Sequence, residues 1–522
     1  MKHLPLVFAG AILAAGCSST PPVTRTEPGT GPGQLVPVEP VTVTPAHVTR
    51  LSVSPYPLLK ERIDALIPDT LFPPSTIALM VHSLTRDEML YDLNGGLILN
   101  PASNMKLLTT AAALRELGTE YRFTTRVTAD TSRLPTITVH GSGDPIMVTA
   151  DLDTLAGLIA AALPRGRTWR LAGDVSLFDD LPMGEGWPWD DESYSYQMQL
   201  SPLSVNGNCV EVRAEPGAAP GDTVHVTISP RNSYISVLNR AVTVADSTLR
   251  PVSAMRRGFD RNNVITVEGE MPMRGRTRVD NVTVHAPHLY FLSLLADRLR
   301  SRAVTISATL VDTAGPAAFP VAELSHGIDT VVVYLNKVSD NLSAENLLRT
   351  MAAERTGRPG RAEAGHVLVN RFLQSAGVDT GRLVLSDGSG LSRYNLVSAS
   401  SLIALLRAMR SDPELFPLFR RSLPVAGVDG TINRRMQGTR AQANLRAKTG
   451  TLSDVTALSG YVTTADGEDL AFSVIMQKYP WSSRAYRGVQ DRIGAFLAGL
   501  TREDYAFVRP HTLDKETKKA GE

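Results

Sequence analysis

The chain has 522 residues, of which 43% are hydrophobic and 20% are charged, with 40 glycines and 34 prolines. That length excludes a single small binding module, and the composition excludes wholesale disorder. The 53 basic and 52 acidic side chains give a net charge of +1, too small to attract a polyanion, so we expect no nucleic-acid partner.

The first 17 residues are typical of a lipoprotein signal peptide. A basic start is followed by an apolar run over 4–16, too short to span a bilayer, and then by Cys17. Residues 13–17 resemble a bacterial lipobox, so Cys17 is the predicted lipid attachment site and the lipid is the only expected membrane contact. Ordinary secretion with cleavage nearby is the alternative. Residues 18–48 hold seven prolines and predict an extended tether.

Folded structure is predicted to begin near residue 59. An amphipathic stretch there precedes two predicted strands, over 76–83 and 89–94, which are joined by a turn. The remaining cysteine, Cys209, stands alone further along the chain. It predicts a buried thiol, and two cysteines are too few for a disulfide framework or a cysteine-rich metal site.

The most informative segment follows the second strand. Asn100 and Pro101 at its start and Gly118 at its end predict a helix over 101–117. Ser103 then lies in the first turn, where backbone amides have no acceptor within the helix and the dipole stabilises negative charge. Lys106, three residues later, shares a face with Ser103 and supplies a base if its amine is neutral.

Ser-x-x-Lys is common by chance, and an exposed helical pair is its ordinary explanation. Lysine is scarce here, however, with nine lysines against 44 arginines. Arginine cannot deprotonate and therefore cannot act as a base. The lysines between residues 3 and 514 are Lys60, Lys106, Lys337, Lys448 and Lys478. Only Lys106 has a serine three residues before it, which favours a catalytic role.

Two further motifs complete a constellation. Ser339, Asp340 and Asn341 lie between an apolar stretch and a helical one. The triplet 448–450, Lys-Thr-Gly, precedes two runs over 456–463 and 470–477 that predict a hairpin. The triplet is therefore expected on a strand at a sheet edge, where Gly450 permits the close approach of a ligand. Each motif is weak alone, and the three in this order are a strong indication.

Ser-x-x-Lys, Ser-x-Asn and Lys-Thr-Gly are the signatures of penicillin-recognising serine enzymes. The 236 positions from Ser103 to Ser339 resemble the long interval of the DacB-type D-alanyl-D-alanine carboxypeptidase/endopeptidases, the class C low-molecular-mass penicillin-binding proteins. Other stretches are also similar to that family, and together they extend the resemblance over about residues 50–500. These stretches are 141–145, 186–189, 203–208, 386–393 and 423–431.

The resemblance implies a mixed α+β fold whose catalytic domain is an antiparallel sheet with helices on both faces. We expect this domain to be split between 49–125 and 316–505, with one or two β-rich subdomains inserted at 126–315 and a charged tail at 506–522. The stretch 331–337 has a strand-like local pattern, whereas the family implies a helix, which is the expectation we follow. The insertion could shape the substrate site, act as a spacer or dock a partner.

The resemblance also assigns roles to residues. Ser103 is the expected nucleophile and Lys106 its base, while Ser339 relays a proton to the leaving amine with Lys448 beside it. Asn341 is expected to hold Lys106 and the substrate amide. The backbone amides of Ser103 and Thr451 would form the oxyanion hole. The further residues expected to bind substrate are Thr449 and Gly450, Thr449 at the terminal carboxylate.

Selectivity for the stem peptide is expected to need a cation and an anion near the nucleophile, because diaminopimelate ends in both an amine and a carboxylate. By resemblance, Arg393 is the candidate for the carboxylate. An acid from the insertion should face the amine, and Asp179 is the expected residue. Surface charge without function is the alternative for both.

The expected activity is therefore a serine D-alanyl-D-alanine carboxypeptidase/endopeptidase in the cell envelope, lipid-anchored and facing the periplasm or the exterior. Its expected partners are peptidoglycan stem peptides, with β-lactams as covalent inhibitors. We expect no cofactor and no metal, since the ten histidines are scattered. A β-lactamase or esterase on the same scaffold and a catalytically silent peptidoglycan-binding lipoprotein are the alternatives.

Overall fold

The computed structural model describes residues 52–505 except for 69–70, 72–74, 133, 247, 249, 314–317 and 481. The predicted lipid site at Cys17, the tether and the charged tail lie outside the described residues. In the described part of the chain, no helix is both long and apolar enough to cross a bilayer.

The strands, in chain order, are β1 (Thr76–Ser83), β2 (Glu88–Leu93), β3 (Arg122–Asp130), β4 (Thr136–His140), β5 (Thr168–Asp174), β6 (Cys209–Glu215), β7 (His225–Ser229), β8 (Ser236–Asn239), β9 (Val242–Val244), β10 (Ser253–Arg256), β11 (Val264–Glu268), β12 (Glu270–Pro272), β13 (Arg278–Thr283), β14 (Thr305–Val311), β15 (Phe319–Gly327), β16 (Arg446–Leu452), β17 (Val455–Thr463) and β18 (Asp469–Gln477). The α-helices are α1 (Pro57–Ala65), α2 (Met105–Leu117), α3 (Thr149–Ala162), α4 (Pro287–Arg300), α5 (Ile328–Val338), α6 (Asn341–Thr356), α7 (Ala362–Ser375), α8 (Ala399–Arg410), α9 (Phe416–Ser422) and α10 (Arg484–Gly499).

The catalytic sheet joins the two ends of the described chain. Its strands pair antiparallel in the order β16-β17-β18-β1-β2, so a hairpin near the C-terminus receives β1 from near the N-terminus. Both faces are buried, since neighbouring residues of one strand enter different cores. Ile475 packs with α2, α6 and α8, whereas Val474 packs with α1 and α10. The expected antiparallel sheet between helical layers is confirmed.

A second body of structure lies between α2 and α5. Its sheet has the order β14-β5-β4-β3-β15, and helices α3 and α4 pack against it in a separate hydrophobic core. Three smaller sheets, β13-β6-β7, β10-β11-β8 and β12-β9, complete it. Strands β3 and β15 pair with each other along most of their lengths. The segment that enters the second body after α2 and the segment that leads back to α5 are therefore neighbouring strands of one sheet. Cys209 is a free, buried thiol in this body, as predicted.

The stretch 331–337 is helical, as the family resemblance implies. It lies in α5, where Val331, Val332 and Leu335 form one fully buried stripe. That burial outweighs the modest preference of β-branched residues for strands. Helix α5 ends at Val338, Ser339 follows as its C-cap with a left-handed φ of 64°, and α6 begins at Asn341. Ser339 and Asn341 therefore lie at a sharp junction between two helices.

Candidate active site

The turn that carries Ser103 is held by close backbone packing. Ser103 lies in a 3-10 turn, Ala102–Asn104, that leads directly into α2, so the predicted helix at this position is confirmed. The Asn100 side chain accepts a hydrogen bond from the Ala102 N–H at 2.8 Å. Ala102 has a left-handed φ of 46°, an uncommon conformation for a residue with a side chain. Such a backbone persists only where its surroundings enforce it.

Two glycines allow neighbouring backbone segments to pack directly against this turn. A side chain at Gly390 would place its Cβ 1.9 Å from the Ala102 carbonyl oxygen, so only glycine fits there. At Gly450, a Cβ would lie 2.7 Å from the Pro101 oxygen and 3.1 Å from the Ser103 nitrogen. Gly450 therefore admits the Ser103 turn itself against strand β16.

Lys106 is fully buried and contacts three oxygens. Its Nζ lies 3.1 Å from Ser103 Oγ, 2.6 Å from Asn341 Oδ1 and 2.6 Å from the carbonyl oxygen of Ser389. Burial lowers the pKa of Lys106 to about 8, although the charges of Asp387, Asp340 and Glu345 oppose the change. A lysine with a lowered pKa in contact with a serine hydroxyl can accept that hydroxyl's proton.

Lys448 forms the second amine of the site. It lies on edge strand β16, as predicted, and its Nζ donates to Ser339 Oγ at 2.8 Å. It is also fully buried, and burial together with the charge of Lys106 holds the pKa of Lys448 well below its usual range. Two neighbouring buried amines repel each other when both are charged, so the pair loses a proton more readily than exposed lysines would.

The Ser389 carbonyl that contacts Lys106 belongs to a loop fastened by two buried acids. One carboxylate oxygen of Glu345 accepts the N–H groups of Gly388 and Ser389, each at 2.9 Å. Asp387 accepts the N–H groups of Gly390 and Ser392, each at 2.7 Å. Burial, followed by the charge of Asp387, raises the pKa of Glu345 to about 7. The sequence analysis assigned no role to either acid. The available signal was that Glu345 lies in an otherwise apolar helical stretch and Asp387 in a glycine-rich one.

The inserted body reaches this site at two points. The side-chain N–H₂ of Asn341 donates to the carbonyl oxygen of Tyr196 at 2.7 Å, which directs its Oδ1 toward Lys106. The indole N–H of Trp187 donates to Asp387 at 2.9 Å. One segment of the insertion therefore contacts both Asn341 and the loop whose Ser389 carbonyl holds Lys106.

A cavity of about 610 Å³ opens above these groups. The motif residues that line it are Ser103, Ser339 and Asn341, while Lys106 and Lys448 are buried beneath. Its other lining residues are Pro188, Asp191, Tyr196, Gly390, Leu391, Arg393, Thr451, Leu452, Ser453, Ser482 and Ser483. Thr449 lies on the same strand as Thr451, and its hydroxyl donates to Thr431 Oγ1 at 2.8 Å.

The two residues expected to select the stem peptide are placed differently. Arg393 lines the cavity, remains 41% exposed and pairs with Asp454. Asp179 does not meet the expectation, because it lies mostly buried 3.8 Å from Arg349, outside the set of described residues that line the cavity. Its neighbour Phe178 packs into a small core and bridges to Gly360, which draws Asp179 away. The insertion's acid at the cavity is Asp191.

Comparison with known proteins gives a family model and relatives that cover most of the chain. The model of the D-Ala-D-Ala carboxypeptidase 3 (S13) family matches residues 59–500. A D-alanyl-D-alanine carboxypeptidase from an Actinomadura species is 36% identical over 464 residues, which are 84% of this chain and 84% of that protein. The D-alanyl-D-alanine carboxypeptidase DacB of Haemophilus influenzae is 26% identical over 442 residues, covering 83% of this chain and 92% of the relative.

A solved structure shares the fold. The crystal structure of penicillin-binding protein 4 from Haemophilus influenzae superposes with a TM-score of 0.74 at 23% identity, covering 84% of this chain and 99% of that one. A second structure of that protein, in complex with a β-lactam, gives a TM-score of 0.70 at 22% identity, with 85% and 99% covered.

Proposed function

The chain belongs to the D-Ala-D-Ala carboxypeptidase 3 (S13) family and is a serine-type D-alanyl-D-alanine carboxypeptidase, and from this premise we propose that Ser103 is the residue it acylates. The observation that carries the assignment is the position of Lys106 Nζ. It contacts Ser103 Oγ, Asn341 Oδ1 and the Ser389 carbonyl at once, beneath an open cavity. These contacts hold the amine beside the hydroxyl of Ser103, which lines that cavity.

Acylation then proceeds by proton transfer from Ser103 to Lys106. The Oγ of Ser103 attacks the carbonyl carbon of the penultimate D-alanine, and the neutral amine of Lys106 takes its proton. The N–H groups of Ser103 and Thr451 donate to the oxyanion, each contributing ~3 kcal/mol to the transition state. The close packing of Gly450 against the Ser103 nitrogen brings these two strand and turn segments together.

The leaving group needs a proton. Ser339 relays to the nitrogen of the terminal D-alanine the proton that Lys106 took from Ser103, and Lys448, whose Nζ donates to Ser339 Oγ at 2.8 Å, tunes the electrostatics of that hydroxyl. Thr449 binds the terminal carboxylate of the substrate. Water then hydrolyses the acyl-enzyme and regenerates Ser103. A cross-linked stem presents the same D-alanyl acyl group with a larger amine as leaving group, so endopeptidase activity on cross-links belongs to the proposal.

The substrate side chain would be held by two opposite charges at the cavity. Arg393 is the cation for a diaminopimelate carboxylate, and Asp191, in place of Asp179, is the acid for its amine. Both belong to the described lining of the cavity that contains Ser103. Recognition by two charges distinguishes a diaminopimelate stem from an acetyl-lysine stem, which offers neither group.

Fluorescent penicillin tests the nucleophile directly, because a β-lactam acylates the same hydroxyl and its leaving group stays attached. Ser103→Ala should lose both covalent labelling and D-alanine release while the protein stays folded. Ser453→Ala, which changes another serine of the same cavity, should retain both. A folded Ser103→Ala protein that still becomes labelled would refute the assignment.

The lifetime of the labelled adduct separates the alternatives. A long-lived adduct on an enzyme that releases D-alanine is expected for a penicillin-sensitive carboxypeptidase. Rapid loss of the adduct would indicate a β-lactamase or esterase. An unlabelled wild type would indicate a catalytically silent peptidoglycan-binding protein.

The proposed location is the cell envelope outside the cytoplasm, where stem peptides are found, with a lipid on Cys17 as the anchor. The sequence pattern of residues 1–17 supports this proposal. Metabolic labelling with a palmitate analogue should mark the wild type and not Cys17→Ser. A wild type that carries no label and fractionates as a soluble protein would refute the anchor while leaving the catalytic assignment intact.

A further inference from the structure

Two large aromatic rings contact each other on the surface of the insertion. Trp189 is 68% exposed and Phe259 is 75% exposed, yet their ring centroids lie only 4.8 Å apart at an interplanar angle of 38°. Single exposed aromatics are ordinary on protein surfaces, whereas a contiguous apolar patch with a polar rim marks a binding surface. We call this pair the aromatic platform.

The two segments that carry the aromatic platform are joined by buried contacts. The fully buried guanidinium of Arg256, three residues before Phe259, pairs at 2.7 Å with Glu192, three residues after Trp189, and donates to the Thr283 carbonyl at 3.0 Å. Gly258, which precedes Phe259, packs so tightly on Glu192 that a Cβ would lie 1.9 Å from its carboxylate. The two loops that carry the rings are therefore locked together before any ligand arrives, which lowers the entropic cost of binding.

The aromatic platform is continuous with the catalytic cavity. Trp189 lies between Pro188 and Asp191, and both of these line the cavity that contains Ser103. A substrate attached at Ser103 that leaves the cavity on the side of Asp191 would pass the segment that carries Trp189. The aromatic platform therefore adjoins the part of the cavity wall where the portion of such a substrate remote from the scissile bond would lie.

We propose that the aromatic platform binds a hexosamine ring of the glycan strand to which the stem peptide is attached, an inference that rests on the proposed function. A pyranose ring presents a face of C–H groups that gains dispersion energy against a flat aromatic ring. Its hydroxyl and acetamido groups need polar partners at the edge. Exposed Asp190, Arg257 and Asp260 supply such a rim.

A lipid surface is the competing occupant of an exposed aromatic patch. The rim argues against it, because exposed Asp190 and Asp260 balance exposed Arg257 and Arg261 and leave no net positive charge to attract anionic headgroups. Sugar hydroxyls, in contrast, are good donors to carboxylates. Charge complementarity therefore favours an uncharged, hydroxyl-rich ligand.

The test compares two substrates that share one pentapeptide, either N-acetylated or attached to its disaccharide. For the double variant Trp189→Ala and Phe259→Ala, kcat/KM on the disaccharide substrate should fall about tenfold, equivalent to ~1.4 kcal/mol. On the sugar-free peptide it should stay within about twofold of wild type. Phe319→Ala, which removes an exposed aromatic from β15, serves as the matched control and should change neither value.

Binding of a soluble N-acetylglucosamine hexamer, followed by tryptophan fluorescence, provides a second readout that needs no catalysis. The double variant should lose most of the wild-type affinity. Equal losses of kcat/KM on both peptides, or no loss on either together with unchanged hexamer binding, would overturn the inference. So would loss of binding to phosphatidylethanolamine–phosphatidylglycerol vesicles with unchanged hexamer binding. A wild type that binds the hexamer but cleaves neither peptide would instead contradict the proposed function.

Discussion

Replacing Asp340 with asparagine should shift the pH dependence of acylation to lower pH. Asp340 caps the N-terminus of α6, where its carboxylate accepts a hydrogen bond from the Ser343 N–H at 2.6 Å. Asparagine caps helices about as well as aspartate, so Asp340→Asn removes a charge and preserves the cap. That charge is one of those that stabilise the protonated form of Lys106.

The expected size of the shift follows from the indirect connection between the two groups. Burial lowers the pKa of Lys106 to about 8, and the negative charges around it oppose this lowering. A charge in direct contact moves a pKa by ~1–3 units. Asp340 acts across its neighbour Asn341, which makes the contact with Lys106, so we expect about one unit, or ~1.4 kcal/mol.

The sign of the effect is unusual for the loss of an active-site charge. Lys106 accepts a proton only when neutral, so acylation should rise with pH through its pKa. Without Asp340 that rise should be centred about one unit lower, so that at pH 7 the variant reaches about half of its high-pH plateau and wild type only about a tenth of its own, a roughly fivefold difference. Because a weaker base is also a slower one, the plateau itself should lie somewhat below that of wild type.

The assay is the second-order rate of acylation by a fluorescent penicillin between pH 6 and pH 10. The decisive quantity is the ratio of the variant's acylation rate to that of wild type. This ratio should fall as the pH rises, whereas a general loss of activity would leave it constant. Asp329→Asn removes an exposed acid of α5 that pairs with Arg421 and should leave the profile unchanged. A profile for Asp340→Asn that is unshifted, or shifted to higher pH, would refute the role of this charge.

Three further substitutions test other parts of the site. Lys448→Ala should slow penicillin acylation about 100-fold, because it removes the amine that holds the second serine, and unchanged kinetics would contradict that role. Gly390→Ala should lower the thermal midpoint and abolish penicillin labelling, because the new Cβ would lie 1.9 Å from the Ala102 oxygen. The control, Gly377→Ala, changes a glycine at a positive φ with open space around it and should lower the free energy of unfolding by only ~1 kcal/mol. Arg393→Ala should reduce turnover of a diaminopimelate peptide about fivefold more than that of an acetyl-lysine peptide, and equal losses would assign it a structural role.

The parts of the site that short motifs encode could be predicted from the sequence. A capped helix start with Ser103 and Lys106, and a strand carrying Lys448 before a hairpin, depend on local patterns that the fold preserves. The helix over 331–337 could not be predicted from local preference, because burial of one stripe of α5 outweighs it. The family resemblance supplied that element.

The contacts that orient Lys106 could not be predicted, because each joins distant segments. Glu345 meets the amides of residues 388 and 389 only after α6 has packed beneath that loop. The acid at the cavity depends on where the chain runs after β5. Packing of Phe178 turns Asp179 toward Arg349, and the chain reaches the cavity only at Asp191.

The insertion is more than a spacer, because its contact with Asn341 determines which atom of that side chain faces Lys106. An amide side chain has an oxygen that accepts and a nitrogen that donates, and rotation by half a turn exchanges them. The Tyr196 carbonyl accepts from the nitrogen at 2.7 Å, so the oxygen is left for Lys106 at 2.6 Å. Without the Tyr196 carbonyl, both orientations of the Asn341 amide would be available. In one of them the N–H₂ group would face the Lys106 amine, which is itself a donor at this position. The same segment gives Asp387 an indole donor from Trp187, so the conformation of the catalytic loop depends on the insertion as well. The catalytic and inserted parts of the chain therefore build one site, in which the insertion determines that an acceptor, and not a donor, of Asn341 faces Lys106.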